Sequence, residues 1–329
     1  MAQTGDVVRT VILDMDDRRP VDDIFQHAET RRLADRTTYR MRHYQWTWPI
    51  AATTILALTA AACTHQGPRR NTQSDLVAFS RIDKAHALSR GANVTVAVID
   101  WQFDPRGSAA SRYVSAASMV PGEAMGTLKP WHGAWMVDIV HRVAPEARIM
   151  PLIGRSLKSG GYQDALIEGI RYAAEHGAVA VSSSMGPVNQ SDALRAAIDF
   201  AESRGTLFVD VHPENDGATG GKFTPCGVGA CDTRIVHPGI VSVPEHVTRP
   251  HPSRLVYTWP YDLDGKFQDG WGYSNAPPIV LGVIALMKSA NPRLTPAQLR
   301  ERLERTASER EGFKVLDAEA AVRSAIAMR

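Results

Sequence analysis

Several stretches of this sequence are nearly continuous apolar runs of strand length. VTVAVID covers 94–100, ARIMPLI 147–153, GAVAVSSS 177–184, TLFVDV 206–211 and GIVSVPE 239–245. Between them lie stretches with helical apolar spacing: one from near His132 towards His141, one over 162–176, and SDALRAAIDFAESRG, opened by Ser191 and closed by Gly205. A strand that is apolar on both sides must be covered on both faces. Strands of this kind alternating with helices predict a three-layer α/β fold, a mainly parallel sheet between helical layers. Right-handed crossovers then place functional groups at the C-terminal strand ends. Asp100 stands at one such end, and Asn215 lies four residues past TLFVDV. Further on, APPIVLGVIALMKSA (276–290) is apolar almost all round and predicts a buried helix. NPRLTPAQLRERLERTA adds a proline stop, a threonine cap and an amphipathic helix.

The first part of the chain differs. Residues 1–40 mix charges of both signs with little apolar periodicity, and read as an extension without structure of its own. Met41 is the expected start. After basic Arg42 and His43, residues 48–62 are 15 uncharged residues, followed by Cys63. That run is short for a membrane span of about 20 residues, and it suits the apolar region of an export signal. LTAAAC resembles a bacterial lipoprotein signal whose cysteine becomes lipidated. A plain signal cut after Ala60 or Ala62, or an uncleaved anchor, are the other readings. Residues 41–62 are therefore expected to be a signal or anchor, 63–77 a linker, and 78–329 the folded domain. The mature protein is expected outside the cytoplasm, either secreted or held at a membrane. In that setting Cys226 and Cys231, in the glycine-rich TPCGVGACD, favour a small-loop disulfide over two free thiols. No further ligand at metal spacing accompanies them, which argues against zinc. A net charge of +2 and the lack of a basic, aromatic-interleaved run argue against nucleic acid.

Three residues carry the chemistry. Asp100, His132 and Ser274 follow one another in the order acid, base, nucleophile, one of the chain orders in which this constellation recurs. A serine hydroxyl needs a neutral imidazole to take its proton and a buried carboxylate to fix the imidazole tautomer. The oxyanion it creates needs preorganised donors. Ser274 precedes the apolar helix, so its N–H lies near the positive end of the helix dipole. Each residue also has a plainer reading alone: Ser274 as a helix cap, His132 as a structural hydrogen bonder, Asp100 as a turn cap.

From about residue 78 to 326 the chain resembles a subtilisin-like serine protease, a subtilase. IDKAHALSRGANVTVAVID resembles the entry to the family's acid strand. WHGAWMVDIVHRVAPEARIMPL resembles the histidine block. GYSNAPPIVLGVIALMKSANP resembles the serine block. The resemblance implies Asp100, His132 and Ser274 as catalytic residues and Asn215 as an oxyanion donor. It implies that Ser184, Met185 and Gly186 pair with substrate backbone. It also places His212, Pro213 and Glu214 on a wall of the main specificity pocket, where the Glu214 carboxylate would favour a basic side chain. Calcium sites are frequent in the family, but no loop here has a spacing that identifies one. The family's usual folded prodomain is not visible in the roughly 15 residues after Cys63.

The neighbours of the trio depart from the family pattern. Trp101 and Gln102 follow the acid, Ala134 and Trp135 follow His132 and Gly133, Glu214 precedes Asn215, and Tyr273 and Asn275 flank the serine. The bulky aromatics imply a narrowed cleft, or else simply pack. The expected activity is that of a monomeric serine endopeptidase acting on peptide or protein substrates through an acyl-enzyme. The rival is an inactive, subtilase-shaped peptide-binding module tethered to a membrane. A lipase or esterase would need G-x-S-x-G around the serine and the histidine last in order, and neither is present.

Overall fold

The computed structural model describes residues 80–129, 132–156, 162–185, 190–211, 232–240, 257–258, 272–310 and 313–329. All belong to one compact unit, Gln66–Arg329. The expectations on residues 1–77, among them the signal and Cys63, lie outside the described residues, as do those on Gly186, Glu214, Asn215, Cys226 and Cys231.

In chain order the elements begin with α1 (Ile82–His86), β1 (Thr95–Asp100), β2 (Ala117–Ser118) and α2 (His132–Val143). There follow β3 (Arg148–Ile153), α3 (Gln163–Glu175), β4 (Ala180–Ser183), α4 (Asp192–Ser203) and β5 (Leu207–Asp210). Then come the two-residue strands β6 (Gly239–Ile240) and β7 (Tyr257–Thr258), a 3-10 turn (Gly272–Asn275) and the long helix α5 (Ala276–Ala290). The chain closes with α6 (Pro296–Thr306), β8 (Ser308–Arg310), β9 (Phe313–Val315) and α7 (Ala318–Ile326).

The main sheet runs β2-β3-β1-β4-β5, with every pairing parallel. Central strand β1 is buried along its whole length. Side chains alternate across a strand, so β1 feeds two cores. Val96 and Val98 join the core made with α2, α5, α6 and α7. Ala97 and Ile99 join the core made with α3 and α4. This is the predicted three-layer α/β architecture, and it explains why the strands read as continuous apolar runs.

Local signals set the boundaries. The Ser191 side chain accepts the Leu194 N–H and starts α4. Thr295 and Gln298 form a capping box at the start of α6. The third run begins as a strand only at Ala180, because Gly177 takes a left-handed φ of 76° and closes α3, with Ala178 N–H donating to Ala173 O at 2.9 Å. The fifth run also behaves differently. Val236 bridges Val209 of the main sheet, but β6 then joins a separate sheet of order β6-β7-β9-β8, in which the β8–β9 pair is antiparallel. That hairpin and α7 are elements the sequence pattern does not announce.

The start of the described domain is clasped to the start of its last helix. Arg81 pairs with Glu319, and with Asp317 at 3.7 Å. The Ala318 N–H donates to the Ser80 carbonyl at 2.9 Å. Within the described residues no helix is long and apolar enough to cross a membrane.

Candidate active site

Asp100 is the last residue of β1, fully buried between the cores. Its position at the C-terminal edge of a central strand fixes its backbone on both sides. Its carbonyl accepts the Gly154 N–H at 2.8 Å, and its Oδ1 accepts the Trp101 N–H at 2.7 Å. His132 opens α2 and is 8% exposed. Its Nδ1 lies 2.9 Å from both Asp100 Oδ1 and Oδ2. With Nδ1–H donated to the carboxylate, Nε2 is left as the acceptor. Gly133 makes this approach possible. A Cβ there would stand 2.9 Å from the Phe103 ring and 3.0 Å from the Gln102 carbonyl, so a larger residue would push the start of α2 off the end of β1.

Burial alone would lower the pKa of the His132 imidazole. The charge and hydrogen bond of Asp100 outweigh it, the Arg155 cation opposes them, and the net shift is upward from 6.5.

Ser274 lies in the 3-10 turn that leads into α5. Asn275, not Ser274, occupies the cap position, so the plain capping reading of the serine does not hold. The helix starts with Ala276 followed by Pro277 and Pro278, which cost nothing where the N–H groups have no helical partner. Two contacts locate the turn. It packs against α2, and the Ser184 Oγ, just past β4, donates to the Ser274 carbonyl at 2.8 Å. Thus Asp100 at the end of β1, His132 at the start of α2, Ser184 just past β4 and Ser274 in the turn before α5 lie at the C-terminal edge of the main sheet. Met185 is buried in the α3–α4 core.

Of the unusual aromatics, Trp135 is 41% exposed and does not pack inward. Trp101 is half-buried against the α3–α4 core. The Arg155 guanidinium lies over its ring at 4.4 Å and over the Tyr162 ring at 5.3 Å. The sequence pattern does not single out Arg155. The one available signal was its place immediately beyond the strand ARIMPLI, at the sheet edge where ligand-facing groups are expected.

Asp210 ends β5, beside Ser183 of β4, and is fully buried. Burial holds its carboxyl well above 3.8. The Val211 N–H works against this shift, but it is engaged by the Ser183 carbonyl at 3.0 Å, and among the described residues neither Asp210 oxygen has a hydrogen-bond partner. Among the described residues no three His, Cys, Asp or Glu side chains gather as metal ligands. The proposed chemistry uses no calcium.

A model of the Subtilase family (peptidase S8) matches residues 227–321. Subtilisin DY of Bacillus licheniformis is 30% identical over 252 residues, covering 69% of this chain and 89% of that protein. Fervidolysin of Fervidobacterium pennivorans, a keratinolytic enzyme related to subtilisin, superposes with a TM-score of 0.62 at 20% identity, over 78% of this chain and 47% of fervidolysin. MycP1 with its N-terminal propeptide removed gives a TM-score of 0.55 at 21% identity, over 75% of this chain and 96% of that one. The two structural likenesses speak for the fold, and the relationship to subtilisin DY speaks for descent. The chain belongs to the subtilase family of serine endopeptidases.

Proposed function

We propose that the protein hydrolyses peptide bonds through Asp100, His132 and Ser274. The observation that carries this reading is the His132–Asp100 contact at the sheet edge, 2.9 Å from Nδ1 to each carboxylate oxygen. It orients the imidazole with Nδ1–H towards the carboxylate and Nε2 as the accepting nitrogen, and the packing of the Ser274 turn on α2 supports Ser274 as its partner. His132 Nε2 takes the Ser274 Oγ proton as Oγ bonds to the substrate carbonyl carbon. The oxyanion is held by the Ser274 N–H, near the N-terminal end of α5, and by Asn215. The C–N bond then breaks, and His132 gives its proton to the departing amine. Water repeats the sequence on the acyl-enzyme and releases the new carboxyl terminus. Asp100 stabilises the transient imidazolium and holds its tautomer.

The substrate lies extended beside Ser184, Met185 and Gly186 by strand addition. Glu214 favours a basic side chain at the cleaved position. The export reading of residues 41–63, with Cys63 as the lipidation point, places the enzyme outside the cytoplasm at a membrane, with a Cys226–Cys231 disulfide.

A fluorophosphonate probe tests the reading. Labelling of the wild type and its loss in Ser274→Ala is the expected result. Folded wild-type protein that neither labels nor cleaves a casein substrate would leave a peptide-binding module in its place.

A further inference from the structure

The site contains a cation that the proposed chemistry does not use. Arg155 follows Gly154 at the end of β3, at the same edge as the acid–base pair. Its guanidinium is stacked on Trp101 and Tyr162, and its charge is felt at both His132 and Tyr162. Among the described residues it makes no ion pair, and its buried Nε has no hydrogen-bond partner. Among the described residues no carboxylate is paired with it. Asp100 is bonded to His132, Glu123 accepts from Ser156 Oγ at 2.7 Å, and Asp210 is held up towards its neutral form by burial. Leaving a half-buried guanidinium without a counter-charge is costly, whereas stacking on two rings fixes its plane at little further entropic cost.

The neighbouring backbone says what passes by. A Cβ on Gly154 would stand 3.4 Å from Met185 Cε, so the Gly154–Arg155 corner borders Met185, beside which the proposed substrate strand would run. We propose that Arg155 reads an acidic side chain of the substrate close to the cleaved bond, binding its carboxylate through the exposed edge of the guanidinium fork. This rests on the endopeptidase reading of the same site. It adds a second charge requirement, opposite in sign to that of Glu214.

Charge-assisted hydrogen bonds of this kind alter affinity by about ten- to a hundredfold. Fluorogenic peptides differing only in Glu, Gln or Lys at each position flanking the scissile bond are the probe. Wild-type enzyme is expected to favour Glu over Gln at one position by at least about tenfold in kcat/KM, mainly through KM. Arg155→Ala should erase that preference, Arg155→Lys keep part of it, and Arg155→Glu shift it to Lys. A purely structural role would instead slow all peptides alike. The same peptides are then titrated against Ser274→Ala by fluorescence anisotropy, which needs no turnover. If that protein binds the Glu and Gln peptides equally, or if Arg155→Ala retains the preference, the assignment is overturned. Missing fluorophosphonate labelling, with the Glu preference in binding intact, would instead overturn only the catalytic reading.

Discussion

Gly282 of α5 lies so close to Val143 of α2 that a Cβ added to it would stand 2.6 Å from both Val143 Cβ and Cγ1. His132, the proposed base, opens α2, and Ser274, the proposed nucleophile, lies in the turn just before α5. The spacing of the two helices therefore bears on the distance between Ser274 and His132.

Gly282→Ala sets two effects against each other. Helix propensity gains about 1 kcal/mol, while overpacking costs about 1–3 kcal/mol. With the contact this short, a net loss of about 1 kcal/mol is expected, with a fall in Tm of about 2–4 °C. Turnover should fall more than stability explains, because α5 is pushed off α2. Val143→Ala in the same chain should restore only part of it, since the Val143 Cβ contact remains. Thermal melts and kcat on one peptide check both.

Asp100→Asn leaves the shape of the site but not the charge. Turnover should fall by about 10⁴-fold, as the amide no longer holds the donating tautomer. The imidazole also moves. With the carboxylate gone, burial and Arg155 both push the His132 pKa down, so it should titrate below 6.5 instead of above it. NMR titration, with the His132 signal assigned by comparison with His132→Gln, reads this directly.

The pH dependence of wild-type turnover follows from the same shift. As the proposed base His132 acts only when neutral, and its pKa is raised. Activity should therefore climb as the pH rises through a midpoint above 6.5. The linked stability has the opposite sense: it is complete below 6.5 and is lost as the pH rises through the folded-state value. The kcat/KM profile and urea midpoints across pH 5–9 test the two together.

Asp210 predicts a second pH effect, of different origin. Its neutral form is favoured in the folded state, whereas the unfolded chain releases the proton near 3.8. Stability contributed by this group therefore falls as the pH rises above 3.8, and levels off only past the raised folded-state value. Asp210→Asn should remove that fall, flattening the curve of Tm against pH on the alkaline side.

The Ser184 hydroxyl ties the Ser274 turn to the end of β4. Ser184→Ala removes a hydrogen bond worth about 1 kcal/mol, with a similar loss in folding free energy. A small drop in kcat is expected as the Ser274 turn loosens. Comparing chemical denaturation with the rate of fluorophosphonate labelling separates the two.

Much of this was legible in the residues. The runs ending in Asp100, Ile153 and Val211 showed the sheet, because a strand buried on both faces has no polar side to show. Ser191 and Thr295 marked helix starts because their side chains accept backbone N–H groups that nothing else in a helix can take. The order Asp100, His132, Ser274 named the candidates. What the residues could not announce depends on distance in sequence. Arg155 and Trp101 are 54 positions apart and stack only because β3 lies beside β1. The β8–β9 hairpin was hidden because SER and FKV are too short and too polar to carry a period. Gly177 looked like the start of a strand, but its left-handed backbone ends a helix.

The clasp of Arg81 with Asp317 and Glu319 has a practical consequence. It fastens the entry of the domain to the N-terminal end of α7, giving Asp317 and Glu319 their counter-charge and the Ala318 N–H its acceptor. A shortened version that begins after Arg81 would remove all of these at once and loosen the last helix. An expression boundary or a tag is therefore better placed upstream of Ser80, which leaves the sheet edge that bears His132 unaltered.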